Sequence, residues 1–241
     1  MQQQAKIDIF KDAPYNEIYH NVPIAWGGAG GSAIPRPQPS DFVSNYFEDR
    51  SGFFIDVGAN DGIIWSTTLG LEINSKWNGI CIEPHPNIFK QLSGNTKGIQ
   101  RTAEFLNVAI STEEKICDFQ MFNGEWDSHM LSGIVDNYDS RQKDRDDFKR
   151  NSSSSEIIKV KCLPLQKILD ERNITHVDYL SIDTEGSELE VLQSIDFSKV
   201  SFELISVEVN YEPDQIDSLL LSNGYIFLEK VCCDQFYVKK L

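Results

Sequence analysis

Phe53-Phe54-Ile55-Asp56-Val57-Gly58-Ala59-Asn60-Asp61-Gly62 decides how this chain is read. Four of its first five residues are apolar, the composition of a strand buried on both faces within a parallel sheet. The run ends in Gly-Ala-Asn-Asp-Gly, and a helical pattern follows. Strand, glycine turn and helix together open the nucleotide-binding units of α/β domains, the glycines allowing a tight turn and close approach of a ligand to the backbone. The G-x-G-x-x-G pattern that cradles a pyrophosphate is not met, because three residues separate Gly58 from Gly62. The loop also carries Asp56 and Asp61, which would repel a pyrophosphate and attract a cation. S-adenosylmethionine, with its sulfonium and ammonium groups, suits such a loop better than NAD. The competing reading is an ordinary α/β turn with surface acids.

Gly79-Ile80-Cys81-Ile82-Glu83 is a second short apolar run ending in an acid. Glu83 follows the glycine loop by about 20 residues, where an acid at the tip of the second strand binds ribose hydroxyls. This spacing points to a ribose without choosing the cofactor, and a solvated acid at a strand end would look the same.

Residues 54–62 resemble the first motif of the FkbM family of S-adenosylmethionine-dependent methyltransferases. Gly79-Ile80-Cys81-Ile82-Glu83-Pro84-His85-Pro86 is similar to that family's second motif and Asn107-Val108-Ala109-Ile110-Ser111 to its third. Ser181-Ile182-Asp183-Thr184-Glu185-Gly186-Ser187-Glu188 resembles its most diagnostic segment, Asp-x-Glu-Gly-x-Glu, and Val207-Glu208-Val209 the strand after it. The resemblance runs in order from about residue 53 to 209. It implies a Rossmann-like class I methyltransferase sandwich, a mostly parallel seven-stranded sheet of order 3-2-1-4-5-7-6 with one antiparallel end strand. It implies cofactor contacts at Asp56, Gly58, Ala59, Asn60, Asp61, Gly62, Glu83, Pro84, Val108, Ala109 and Asp183. It also implies a hydroxyl acceptor on a sugar, glycan or secondary metabolite.

The length of 241 residues suits one α/β domain with additions, and 40% hydrophobic residues can fill a core. A formal net charge of −15 argues against nucleic acid and against acidic membrane surfaces. No stretch reaches the roughly 20 apolar residues of a membrane span, and the first residues lack a signal-peptide hydrophobic region, so a cytoplasmic chain is expected. The five cysteines, 81, 117, 162, 232 and 233, have no metal spacing and are expected as free thiols in a reducing compartment. Cys81 and Cys162 read as small core residues.

Residues 1–45 read as an arm, glycine-rich at 27–31 and proline-rich at 35–39; a homodimer is one use of such an arm. A helix is expected from Ser40 to about Glu48, capped at its start. Another is expected over residues 62–74, with Ile64, Trp65, Leu69 and Ile73 on its buried face. Residues 104–110 read as the third strand, 116–122 and 156–163 as further strands, and 177–183 and 202–209 as the fourth and fifth core strands. Residues 124–155 form a long polar segment, a substrate lid or a disordered loop. The last two strands, over 225–230 and 235–239, are too close for a crossover helix and should be antiparallel.

Ligands bind such sheets at the carboxyl ends of the strands. Asp56 to Gly62, Glu83, 107–110, 183–188 and 208–210 all fall there. Methyl transfer is an in-line displacement at the sulfonium methyl, so alignment of the nucleophile supplies most of the rate. An alcohol must also lose a proton, and Asp183, Glu185 and His85 are the candidates to take it. Each has a structural alternative: Asp183 bonding loop amides, Glu185 shaping the turn, His85 holding a proline loop. A Mg²⁺-assisted variant would use Asp183, Glu208 and Asn210, though no dense ligand spacing calls for it and no metal is expected. The alternative functions are an NAD-type oxidoreductase and a non-catalytic binding module that keeps the fold.

Overall fold

The computed structural model describes residues 38–94, 99, 101–123, 128–144, 146–151, 154–209 and 213–240. The expected arm therefore lies outside the described residues up to position 37. Its end begins the first helix, α1 (Pro39–Phe47), which the Asp41 carboxylate caps by accepting the Gln38 N–H.

The opening stretch is the central strand, β1 (Phe53–Val57), paired in parallel with β2 (Asn78–Ile82) on one side and β8 (His176–Ile182) on the other. Beyond β2 lies β3 (Glu104–Leu106), and beyond β8 lies β9 (Ser201–Glu208), all parallel. The last two strands, β10 (Tyr225–Val231) and β11 (Asp234–Lys239), form a hairpin, and β11 inserts antiparallel beside β9. The sheet order β3-β2-β1-β8-β9-β11-β10 is the order 3-2-1-4-5-7-6 of the class I methyltransferase sandwich. The sheet is mostly parallel, and its antiparallel strand is the last in the chain.

Because side chains alternate across a strand, β1 contributes to two cores. Ile55 and Val57 join Ile80, Ile82, Leu180 and Ile182 beneath α6 (Leu165–Arg172), α7 (Glu188–Gln193) and α8 (Pro213–Ser222). Phe54 and its opposite-facing neighbours Cys81, Tyr179 and Phe236 pack against α1 and α2 (Leu69–Ser75), with Leu92 of α3 (Pro86–Leu92) joining them. Phe47 meets Trp77 edge-on at 4.6 Å in this second layer.

Three expectations are corrected here. The helix expected over 62–74 is only α2, and its first half is a series of turns. Asp61 Oδ1 accepts the N–H groups of Ile63 and Ile64 at 2.8 Å each, closing a local turn. Trp65 then takes a left-handed φ of 60°, and Ser66 Oγ accepts the Leu69 N–H at 3.1 Å. Trp65, in these turns, and Ile73, on the outer side of α2, were both expected in the core and are exposed.

The third strand is likewise two strands. Asn107 Nδ2 donates to the Glu83 carbonyl at 2.8 Å and the Pro84 carbonyl at 3.1 Å, so the chain turns after β3. It re-enters as β4 (Ala109–Ile110) in a separate four-stranded sheet with β5 (Lys115–Phe122), β6 (Gly133–Ile134) and β7 (Ser155–Leu163), in the order β4-β7-β5-β6. In this sheet Cys117 and Cys162, expected as free thiols, are paired as a disulfide with 6.4 Å between their Cα atoms. Cys232 and Cys233 are free and exposed at the final hairpin turn.

The polar segment 124–155 carries elements in its described part: two short 3₁₀ turns (Ser128–Leu131 and Val135–Asn137), β6, α4 (Ser140–Asp144) and α5 (Asp146–Asn151). Phe122, Leu131, Tyr138 and Phe148 form its small core. These scattered apolar residues, without helical or strand period, left no pattern to read.

Candidate active site

The carboxyl ends of β1, β2, β8 and β9 meet at one edge. There Gly58 has φ 87°, and a Cβ on it would stand 1.6 Å from the Asp183 carbonyl oxygen. No other residue allows β1 and β8 to run this close where the loop departs. The Gly58 and Ala59 N–H groups both bond the Ile82 carbonyl, at 2.9 and 3.0 Å, and Asp183 N–H bonds the Val57 carbonyl at 2.9 Å. The loop is thus fastened to the strands on both sides.

Glu83 is buried and holds the loop from the second strand. Its Oε2 accepts the Asn60 N–H at 2.9 Å and its Oε1 the His85 N–H at 2.7 Å. Burial, helped by the charge of Asp56, outweighs these bonds and pushes its carboxyl up to about 7. A carboxylate has lone pairs beyond the two used, so Glu83 can still accept ribose hydroxyls.

Asp56 occupies a different place. It is buried, accepts a 2.6 Å bond from Thr68 Oγ1, and faces the charge of Arg101. Burial raises its carboxyl pKa more than Arg101 and Thr68 lower it. Arg101 is the organiser of this cluster. Its guanidinium pairs with Glu72 at 2.8 Å and donates to Thr68 Oγ1 at 2.9 Å and to the Gly62 carbonyl at 3.1 Å. Glu72 also receives the Thr102 hydroxyl at 2.9 Å. Sequence reading missed Arg101 because its partners lie some 30 to 40 positions away and no local motif marks them.

Asp61 spends one carboxylate oxygen on the turn at Ile63 and Ile64. Gly62 is left-handed, with Leu92 and Arg101 packed close. Pro84 is half-buried behind Glu83, Val108 packs against the main core, and Ala109 lies buried in β4 opposite Cys162.

His85 stands apart from the other proton acceptors. It is buried as the N-cap of α3: Nδ1 accepts the Ile88 N–H at 3.4 Å, which leaves the Nε2 proton for the Phe122 carbonyl, also at 3.4 Å. Burial lowers its pKa, which favours this neutral form.

Asp183, Glu185 and Glu208 do converge, each offering an oxygen within 4.8 Å of the others. Asn210, the other oxygen ligand considered from sequence, lies outside the described residues. Asp183 keeps an exposed edge, yet surrounding protein atoms crowd its carboxyl. That desolvation, followed by the charges of Glu208, Asp234 and Glu188, raises it well above the usual carboxylate range. Glu208 is raised by burial and then by Glu185, while its bond to Asp183 works the other way. The two carboxyls interact directly, so the titration of each depends on the other. Asp234, opposite Glu208 in the sheet, is lifted by burial to about 6.

The loop that carries these acids is held from within and from outside. Glu188 Oε1 accepts from Thr184 N–H and Oγ1 at 2.9 Å each and from Gly186 N–H at 3.0 Å. From the polar segment, the buried Gln142 of α4 donates at 3.1 Å to both the carbonyl and the carboxylate of Glu185. Asn137 Nδ2 donates to Ser187 Oγ at 2.8 Å. Gly186, φ 115°, lies directly under the Asn137 carbonyl and the Gln142 amide. No periodicity marked Gln142 or Asn137, since both belong to single-turn elements.

The sheet order and the glycine loop at its carboxyl edge define a class I methyltransferase fold. The family model described as the Methyltransferase FkbM domain matches residues 56–227, more than half the sequence, and the chain belongs to that family. No curated protein matches the chain. Among solved structures it is similar to the methyltransferase FkbM from Methylobacillus flagellatus KT, at 15% identity and TM-score 0.44, over 78% of this chain and 43% of that one. The chain thus spans less than half the length of that protein. It is also similar to a TehB-like SAM-dependent methyltransferase from Corynebacterium glutamicum ATCC 13032 Kitasato, at 10% identity and TM-score 0.40, over 88% and 91% of the two chains. A third is an RNA methyltransferase from Salinibacter ruber in complex with S-adenosyl-L-homocysteine, at 15% identity and TM-score 0.38, over 86% and 92%. Among the described residues, no helix is long and apolar enough to cross a membrane.

Proposed function

We infer that this FkbM-family chain is an S-adenosylmethionine-dependent O-methyltransferase acting on a hydroxyl of a sugar, glycan or secondary metabolite. The observation that carries the reading is the fastening of the glycine loop to Glu83 through Asn60 N–H, at the same sheet edge where Asp183, Glu185 and Glu208 converge. The residues fit the cofactor: the glycine loop leaves β1 at the carboxyl edge with Gly58 and Gly62 in left-handed backbone, and Glu83 stands where ribose hydroxyls need an acceptor. S-adenosylmethionine supplies the electrophilic methyl group when bound.

The chain's own residues supply the rest. The glycine loop and Glu83 orient the donor. The raised pKa values of Asp183 and Glu208 bring a carboxyl oxygen closer in basicity to an alcohol, and either can accept the proton of an acceptor hydroxyl when ionised. Glu185, held by Gln142, adds negative charge that strengthens that oxygen as a base. Asp183, Glu185 and Glu208 are also oxygen ligands of the kind Mg²⁺ takes. The proposal gives them proton handling, and EDTA treatment separates the two roles: unchanged turnover supports the base, while loss restored by Mg²⁺ supports the metal.

The test begins with calorimetric titration using S-adenosylhomocysteine and, in parallel, NAD⁺. Saturable binding of the first alone is expected; binding of NAD⁺ alone overturns the reading. In a methyl-transfer assay on hydroxylated acceptors, Asp183→Asn and Glu208→Gln should each lower kcat about 10²- to 10⁴-fold, the range of general base catalysis. Glu208→Gln should leave the affinity for S-adenosylhomocysteine unchanged. Full turnover in both variants would remove these residues from the mechanism.

A further inference from the structure

Trp65 has an exposure and a backbone that the fold does not require of it. Its side chain is 50% exposed and its φ is 60°. A left-handed backbone is an outlier for so bulky a residue and persists only where the surroundings fix it. Both flanks are fixed. On one side the Asp61 carboxylate holds the Ile63 and Ile64 N–H groups. On the other, Ser66 Oγ accepts the Leu69 N–H, and Thr67 Oγ1 lies 3.1 Å from Ser181 Oγ and 3.0 Å from the Tyr179 hydroxyl.

Those contacts also locate the turn. Tyr179, Ser181 and Asp183 alternate onto one face of β8 and the residues that continue it. Thr67 binds the first two of that row, two residues short of Asp183. The strained turn that carries Trp65 therefore lies at the carboxyl edge, and two residues on from it Thr67 is fastened to the face of β8 that leads to Asp183. The chemistry of that edge limits what can bind there. The oxygens of Asp183, Glu185 and Glu208, within 4.8 Å of one another, give this edge more hydrogen-bond acceptors than donors, so it calls for a ligand rich in hydroxyl donors and disfavours one bearing negative charge. An exposed indole offers a flat apolar face with little conformational entropy to lose. A ring with a C–H face and hydroxyls around its rim satisfies both demands.

We propose that Trp65 is the acceptor platform of this site, stacking on the apolar face of a neutral pyranoside whose rim hydroxyls turn toward Asp183 and Glu208. This rests on the methyltransferase reading above and names its acceptor subsite. The test is calorimetric titration of wild type, Trp65→Ala and Trp65→Phe with neutral methyl pyranosides, each saturated with S-adenosylhomocysteine. At least one pyranoside should bind the wild type. Trp65→Ala should weaken it about tenfold, the loss of one aromatic contact and its buried area, and Trp65→Phe less than about threefold. S-adenosylhomocysteine affinity should be equal in all three proteins. The inference is overturned if no pyranoside binds the wild type, if Trp65→Ala binds pyranosides as the wild type does, or if S-adenosylhomocysteine affinity falls in step with the acceptor's. S-adenosylhomocysteine binding to the wild type judges the methyl-donor reading separately, so either can fail alone.

Discussion

Glu83 and Asp56 show how two carboxylates, one within β1 and one just past the end of β2, take different environments. Glu83 reaches the loop amides and remains able to accept further bonds, whereas Asp56 is turned into the hydroxyl and guanidinium cluster of Thr68 and Arg101. Glu83 was assigned to the cofactor from sequence because it ends an apolar run, and Asp56 because it belongs to the glycine-loop stretch. The run fixes where a side chain sits along its strand, and the packed neighbours decide what it touches. His85 makes the same point: its place after Glu83 was legible, while its burial against Phe122 depended on a strand 37 residues away. Replacing Glu83 by Gln should weaken S-adenosylhomocysteine binding about tenfold, the loss of a charge-assisted bond to a ribose hydroxyl. The same change removes a buried titrating group, so the dependence of Tm on pH between 5 and 8 should flatten. Calorimetry and a thermal scan of one variant check both.

At the scale of elements, the glycine loop is stable because β2, β8 and the turns before α2 all grip it. Arg101, from the connection before β3, ties the Gly62 carbonyl to Glu72 of α2 through side chains that are almost wholly buried. Removing one partner of such a pair leaves an uncompensated buried charge. Arg101→Met is expected to cost about 3–5 kcal/mol in urea unfolding, and the double variant with Glu72→Met distinctly less. Equal losses in both would show that the pairing itself contributes nothing. The period-based helix over 62–74 failed here for a local reason. Asp61 and Ser66 offer the backbone side-chain bonds that compete with helical ones, Ser66 Oγ accepting the N–H groups of both Thr68 and Leu69, so the helix starts only at Leu69. Gln142 and Asn137, which clamp the acidic loop, stayed hidden because elements of one turn have no period to detect.

For the molecule as a whole, the carboxyls gathered at the sheet edge set a pH dependence opposite to that of an ordinary salt-bridged acid. Glu83 is raised to about 7 and Asp234 to about 6, and Asp183 and Glu208 are also raised. An acid with a raised folded-state pKa binds its proton more tightly folded than unfolded. Its contribution is full below the unfolded pKa and is lost as pH rises through the folded value. Lowering the pH from 8 to 6 should therefore stabilise the protein, by about 1 kcal/mol from Glu83 alone. That equals about 2–4 °C in Tm for a chain of this size. The net charge of −15 adds repulsion of the same sign. High salt screens the exposed part of that repulsion, whereas the slope due to the buried groups persists. A Tm that instead falls from pH 8 to pH 6 would contradict the buried-acid account.

The sequence by itself determined the sheet. Short apolar runs alternating with helical segments point to buried parallel strands, with ligands at their carboxyl edge; the strand order came from the resemblance of the motifs to the FkbM family. It also marked Gly58, Glu83, Asp183, Glu185 and Glu208 by their places at strand ends. Only the tertiary structure decided which acids face one another. The interaction of Asp183 with Glu208, the Arg101 cluster around Asp56, the Gln142 bond to Glu185 and the exposure of Trp65 all join residues far apart in the chain. Local patterning reports which way a side chain points along its own strand or helix; it carries no record of the neighbour that packing brings opposite.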